Sequence, residues 1–358
     1  VLLGLGFQYL TPAEALAARG GKGGNVLLED ILRGQLKALN RIQHRGGSYL
    51  FSEENIQTAI QRLKNVKYDG LLRTNEAVYD LLTLGVALEQ AIEGQVKSFT
   101  LNYVNWRDPG ANVYHVTAEF PVERTRSNET ARPDIVLFVN GIPFAVIECK
   151  SPKVEVEQAI SQTIRNQRDE YIPRLFTYVQ LALAVNKNEA RYATAGTPAR
   201  FWSRWKEQIA DDALQPLLAR PLPERVKASL FDLALQELGV RQDPAPYVVG
   251  RQITEQDRAL YALCRPARLL DLAWQYTVFD AGVRKIARYQ QFFAIREIVA
   301  RVKQADATGL RRGGIVWHTQ GSGKSLTMVM LARALALDPE IRNPRIVLVT
   351  DRVDLDKQ

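Results

Sequence analysis

The chain has little of what disulfide, zinc and membrane proteins are built from. Among 358 residues there are two cysteines, Cys149 and Cys264, and three histidines, His44, His115 and His318. Two cysteines cannot make a disulfide framework, and three scattered histidines supply no zinc-ligand spacing. Any metal chemistry must therefore use oxygen ligands. No stretch approaches the roughly 18 to 20 uninterrupted apolar residues of a membrane span, and VLLGLGFQYLTPAEAL at the start lacks the basic region and cleavage site of a secretory signal. A soluble, cytoplasmic protein with no membrane partner is expected. Internal repeats and low-complexity tracts are absent too. There is no initiator Met, and the chain stops at DRVDLDKQ just after a strand-like run, so a fragment of a longer protein is expected.

What is present is an ordinary globular composition, 46% apolar and 24% charged, with 47 Lys and Arg against 39 Asp and Glu. The net charge of +8 favours an anionic partner such as nucleic acid, and a solvated basic surface gives the same balance. Leu28, Ile31, Leu32, Leu36 and Leu39 share one helical face, and the same period recurs over 54–63 and 77–91. Strands are predicted over 98–106 and 112–120, split by Asp108-Pro109-Gly110. In DIVLFVNGIPFAVIECK two β-rich runs flank Asn140-Gly141, a pair suited to a type I′ hairpin turn. A helix over 156–171 and short strands over 179–185 and 190–196 complete an α/β unit with a mixed sheet. Residues 211–266 are richer in Pro and charge and read as a helical connection and linker between domains over 1–210 and 267–358. Beyond it, the order helix (285–302), buried strand GGIVWH, helix SLTMVMLARALAL, strand PRIVLVT implies a parallel sheet.

The segment TQGSGKS lies between that strand and helix, where a phosphate loop belongs. Gly321 and Gly323 let the backbone turn its N–H groups toward phosphates, Lys324 would reach the β- and γ-phosphates, and Ser325 would hold Mg²⁺. His318 stands where the generic pattern has its first Gly. ATP or GTP is the expected ligand.

The hairpin carries a second constellation. Side chains alternate along a strand, so Glu148 and Lys150 share one face, Cys149 points to the other, and Asp134 can meet them from the partner strand. Converging carboxylates call for a hard cation such as Mg²⁺ or Mn²⁺, and a neighbouring lysine can orient a water and stabilise charge on a phosphate, the parts of metal-assisted phosphodiester hydrolysis. An exposed ion pair on an edge strand, with Asp134 capping a turn, is the plainer alternative. Charges ending so apolar a run as AVIECK weigh against it. Gln167 and Tyr171, four apart on the predicted helix, could face the same site. Arg124, Arg126, Arg132, Arg165, Arg168 and Arg174 read as phosphate contacts or as a solvated basic face.

With the two sites in this order, the chain resembles the restriction (motor) subunit of type I restriction enzymes. Pro133-Asp134 and Glu148-x-Lys150 match the PD-(D/E)xK nuclease fold, and Gln167-x-x-x-Tyr171 matches its QxxxY element. RYQQFFA, with Gln290, resembles the adenine-reading region of a superfamily 2 helicase, WHTQGSGKS its motif I and VTDRVDLDKQ its motif Ia. In that family His commonly stands at the place of His318. The resemblance implies a PD-(D/E)xK mixed-sheet domain followed by part of a RecA-like parallel-sheet domain. It implies Mg²⁺ on Asp134 and Glu148, a water assisted by Lys150, and Gln167 and Tyr171 as support. In the motor it implies ATP held by Thr319, Gly321, Ser322, Gly323, Lys324 and Ser325, with Gln290 on adenine. The implied partners are double-stranded DNA and the methyltransferase and specificity subunits, the whole enzyme cutting unmodified DNA during ATP-driven translocation. Only 34 residues follow Lys324 and none forms a DExH-type acidic motif, so this stretch alone is expected neither to hydrolyse ATP nor to translocate. A single-chain restriction-modification protein and a non-nucleolytic DNA-remodelling module are the alternatives.

Overall fold

The hairpin at Asn140-Gly141 organises the chain. The computed structural model describes residues 1–238, 251–311, 313–319 and 321–349. Asn140 (φ 53°) and Gly141 (φ 81°) take the two left-handed conformations of a type I′ turn and join Ile135–Val139 to Ile142–Cys149. A Cβ on Gly141 would lie 2.6 Å from the Leu28 carbonyl, and Leu28 N–H donates to the Gly141 carbonyl at 2.8 Å. The Glu29–Leu39 helix therefore starts directly on the turn.

Around this pair stands a six-stranded sheet in the order Gln8–Tyr9, Tyr114–Ala118, Ile135–Val139, Ile142–Cys149, Leu181–Val185, Ala190–Ala193. The first and fourth pairings are parallel and the other three antiparallel, so the protein is mixed α/β. Both faces are covered. Leu181, Leu183 and Val185 enter the main core, while Ala182 and Ala184 face the Val156–Asn166 helix in a smaller core with Val156, Ala159, Ile160 and Trp202. Small side chains on that face of the strand let the helix settle close to the sheet.

Several elements differ from the sequence expectation. The helix predicted over 77–91 ends at Leu84, where Gly85 (φ 72°) caps it, and Val86–Ile92 instead pairs with Gln95–Leu101 around Glu93-Gly94. The strand expected over 98–106 is displaced accordingly, and that expected over 112–120 is Tyr114–Ala118 in the central sheet. Helices Asp211–Ala219, Glu224–Leu238 and Glu255–Cys264 occupy most of the expected connection, with Leu260 and Leu263 in the same core as Leu2; residues 239–250 lie outside the described residues.

The helix expected over 285–302 forms at Tyr289–Lys303, its first residues instead pairing as Val283–Ile286 with Thr277–Asp280, and the Lys324–Leu337 helix forms as expected; the expected parallel sheet is not seen among the described residues. Among the described residues GGIVWH and PRIVLVT form no strand, and Ile315 (96%), Trp317 (90%) and Val349 (88%) are exposed. An extended segment becomes a strand only where a neighbouring strand takes its N–H and C=O groups, and among the described residues neither segment is paired in a ladder. The motif Ia match from Thr350 onward lies outside the described residues.

Candidate active site

Strand register assembles the charged end of the hairpin. Ile147 stands opposite Ile135, so the next step of the antiparallel ladder sets Asp134 beside Glu148, and the parallel partner of Glu148 is Ala184. Ala184 faces the Val156–Asn166 helix, hence Glu148 does too, and Lys150 follows two residues on. Glu148 is fully buried. Its Oε2 accepts from Gln162 Nε2 at 2.9 Å and its Oε1 from Asn166 Nδ2 at 3.3 Å. Lys150 Nζ donates to Gln162 Oε1 at 2.6 Å, so one amide ties the lysine to the glutamate. Asp134 Oδ2 accepts from Cys149 N–H at 2.6 Å, which fixes that carboxylate against the neighbouring strand.

Burial pushes Glu148 up to about 9, with the Asp134 charge adding to the shift and Lys150 opposing it. The Cys149 thiol is pushed up to about 12 by burial and the same carboxylates, which disfavours its thiolate near neutral pH. Glu119, whose N–H donates to the Asp134 carbonyl at 2.9 Å, adds a third acidic charge to the field at Glu148. Carboxylates crowded at low dielectric are relieved by a cation, and this donor set suits a hard divalent ion held by one or two carboxylates, water and substrate phosphate. Asn166 Oδ1, buried with no hydrogen-bond partner, offers a further oxygen next to Glu148. The residues fit such an ion, although among the described residues no group of three or more His, Cys, Asp or Glu surrounds a single point.

Gln167 and Tyr171 are placed elsewhere. The helix expected to reach 171 ends at Asn166 with Gln167 as its cap. Gln167 Nε2 donates to the Thr163 carbonyl at 3.1 Å, and its Oε1 accepts from Gly196 N–H at 2.6 Å. Tyr171 lies in the turn beyond, its ring centroid 4.5 Å from the Arg124 guanidinium and 5.4 Å from that of Arg165. The shared helical face of Gln167 and Tyr171 does not exist; Gln162 and Asn166, also four apart, meet the carboxylate instead. That spacing was visible, but nothing local distinguishes Gln162 from Gln167 as the one that faces the strand.

In the phosphate loop Gly321 (φ 74°) and Gly323 (φ 83°) are both left-handed, and Gly323 caps the helix that starts at Lys324. Ser322 Oγ donates to the Thr319 carbonyl at 2.7 Å and lies 3.2 Å from His318 Nδ1, so the histidine belongs to the loop's own hydrogen bonding. Gln320 lies outside the described residues; Lys324 is exposed and Ser325 half-buried. Gln290, expected on adenine, is exposed. Its neighbour Gln291 is buried, donates to the Gly323 carbonyl at 3.1 Å and accepts from Arg288 N–H at 2.8 Å, so the glutamine that braces the loop is Gln291.

The family described as type I restriction enzyme R protein N terminus matches residues 1–201. The chain belongs to this family. Residues 290–358 also match the SWI2/SNF2 ATPase family, a match that begins at Gln290. Over its whole length the chain is 29% identical to the type I restriction enzyme HindI endonuclease subunit of Haemophilus influenzae, of which it covers 31%. Over 86% of its length it is 28% identical to the putative type I restriction enzyme MjaIXP endonuclease subunit of Methanocaldococcus jannaschii, covering 28% of that protein. A Staphylococcus aureus relative, the type I restriction enzyme SauMW2ORF169P endonuclease subunit, is 23% identical over 92% of the chain, which covers 32% of it. The chain thus spans under a third of the length of the first two relatives. No helix among the described residues is long and apolar enough to cross a membrane.

Proposed function

We propose that this chain is the nuclease and the beginning of the motor in the restriction subunit of a type I restriction-modification enzyme, acting on unmodified double-stranded DNA with Mg²⁺ and ATP. The observation that carries the reading is the meeting of Asp134, Glu148 and Lys150 at one end of the central strand pair, with Gln162 bridging the last two. The nuclease, over 1–210, takes the PD-(D/E)xK fold; 211–266 connects it to a RecA-like domain that begins at 267. Methyltransferase and specificity subunits provide target recognition, and the cytoplasm is the site of action.

Asp134 and Glu148 would hold Mg²⁺, which when bound supplies a Lewis acid for charge building on the phosphodiester. Lys150, steered by Gln162, orients the attacking water and stabilises the phosphoryl oxygens. The water oxygen bonds to phosphorus, the bond to one bridging ester oxygen breaks, and that oxygen leaves with a proton. In the motor, Lys324 and Ser325 take the triphosphate and its Mg²⁺ while Thr319, Gly321, Ser322 and Gly323 shape the loop, with Gln290 at the adenine edge and Gln291 bracing the turn.

The test uses the full-length subunit assembled with its methyltransferase and specificity partners, wild type against Lys150→Ala. Loss of cutting of unmodified plasmid with ATP turnover retained is the expected result. Cutting that persists in the variant makes Lys150 structural and favours a DNA-remodelling module.

A further inference from the structure

A strand of DNA cut at Asp134, Glu148 and Lys150 must be gripped beside them, and we propose that Arg124 and Arg165, gathered on the ring of Tyr171, form the phosphate-binding flank of the site. The inference rests on the nuclease reading above and adds the residues that hold the backbone. Arg165 comes from the helix whose Gln162 and Asn166 meet Glu148, and Arg124 from the segment that follows Glu119. Arg165 immediately precedes Asn166, whose amide meets Glu148, and one residue's rotation along the helix turns Arg165 out to solvent. Arg124 follows five residues after Glu119, whose N–H is bonded to the Asp134 carbonyl.

The two guanidinium groups approach one aromatic ring, at 4.5 Å and 5.4 Å from the Tyr171 centroid. Thr125 N–H donates to the Tyr171 carbonyl at 2.8 Å, and Arg124 Nε donates to the Glu170 carbonyl at 3.4 Å, so the two loops are stitched together under the cations. Arg124 is ion-paired to Glu129; Arg165 has no ion pair among the described residues. Glu129 meets part of the Arg124 charge while Arg165 has the ring face, so the repulsion of two like charges at one ring is offset only in part. A phosphodiester between them removes the rest, and the planar fork of guanidinium matches its two unesterified oxygens.

The surroundings favour a polyanion over a single small anion. Arg126, Arg168 and Arg174 are exposed and without ion pairs among the described residues, and Arg126 and Arg174 line a cleft of about 670 Å³ beside Tyr171. The same cleft contains Asp169 and Glu170; Asp169 is engaged by the Tyr68 hydroxyl at 2.5 Å. Tyr171 is then a positioning residue that sets the spacing of the two cations.

The experiment measures binding of the full-length subunit to blunt double-stranded DNA in chelator across a salt series, and cutting by the assembled enzyme in Mg²⁺. Each lost phosphate contact lowers the salt slope by about 0.9, so Arg165→Gln should lower it by about one and the Arg124→Gln, Arg165→Gln pair by about two. Tyr171→Ala should lower the slope as well, whereas Tyr171→Phe keeps the ring and restores it. Arg45→Gln, an exposed arginine beside Glu93, should leave the slope unchanged. An unchanged slope in Arg165→Gln overturns the proposal, as does an equal fall in Arg45→Gln. A slope that falls as expected in a wild-type background that never cuts DNA supports the phosphate flank and removes the nuclease reading instead.

Discussion

Glu148 is a carboxylic acid in a place that prefers it neutral. Its folded-state value is about 9 against an ordinary 4.5, so the stability it contributes is complete below about 4.5 and is lost as the pH rises toward 9. In chelator the thermal midpoint of the wild type should therefore fall across that window relative to Glu148→Gln, which stays neutral. Mg²⁺ should raise the wild-type midpoint at about pH 8 and leave the variant's unmoved; parallel curves would show that the carboxyl is not confined as described. The two glutamines separate chemistry from packing. Gln162→Ala removes the tie between Lys150 and Glu148 and should slow DNA cutting by about 10- to 100-fold with ATP turnover intact. Gln167→Ala frees the Gly196 N–H and should cost about 1 kcal/mol of stability in urea unfolding, with cutting per folded molecule retained. The reverse pattern would return the catalytic role to Gln167.

At the scale of elements, the site depends on how closely one helix approaches one strand. Ala184 stands beside Glu148 in the parallel ladder and beneath the Val156–Asn166 helix. Ala184→Leu adds volume to a filled space, so it should destabilise the protein by about 1–3 kcal/mol and slow cutting by shifting Gln162 and Asn166 off the carboxylate. Thermal unfolding and a plasmid cutting assay check both, and a stable, fully active variant would mean that the helix does not seat on this residue. Elements with a strong local signal were legible: Asn140-Gly141 marked its turn, and the phosphate-loop glycines marked a bend before a helix. The segment after Leu84 was not, because its apolar residues fit a helical period nearly as well as the alternation of Val86, Leu88 and Ile92, and only Gly85 ends the helix.

In the whole molecule, cationic side chains join the elements around the central sheet to those that follow them in the chain. Arg284 is fully buried, donating to Asn75 Oδ1 at 2.7 Å, to the Val179 carbonyl at 3.2 Å and to Gln180, with its guanidinium 5.1 Å from the Tyr79 ring. Arg333, on the helix that begins at Lys324, donates to the Tyr79 hydroxyl at 2.7 Å and the Thr277 carbonyl at 3.1 Å. The Tyr79 hydroxyl in turn donates to the Ala273 carbonyl at 3.0 Å. Arg284→Met keeps the bulk and leaves three buried acceptors short of a donor, so a loss of about 3 kcal/mol in urea unfolding is expected. Stability equal to wild type would show that the junction contributes nothing to the fold.

The sequence by itself determined what depends on neighbours along the chain: the hairpin turn, the alternation that sets Glu148 and Lys150 on one face, and the bend before Lys324. The tertiary structure alone decided which residues meet across space. Gln162 rather than Gln167 reaches Glu148, Gln291 rather than Gln290 braces the phosphate loop, and Tyr171 gathers arginines instead of facing the carboxylates. The reason is that a helix shows its period in sequence but not the phase in which it docks, and a strand shows its alternation but not the partner that will take its hydrogen bonds.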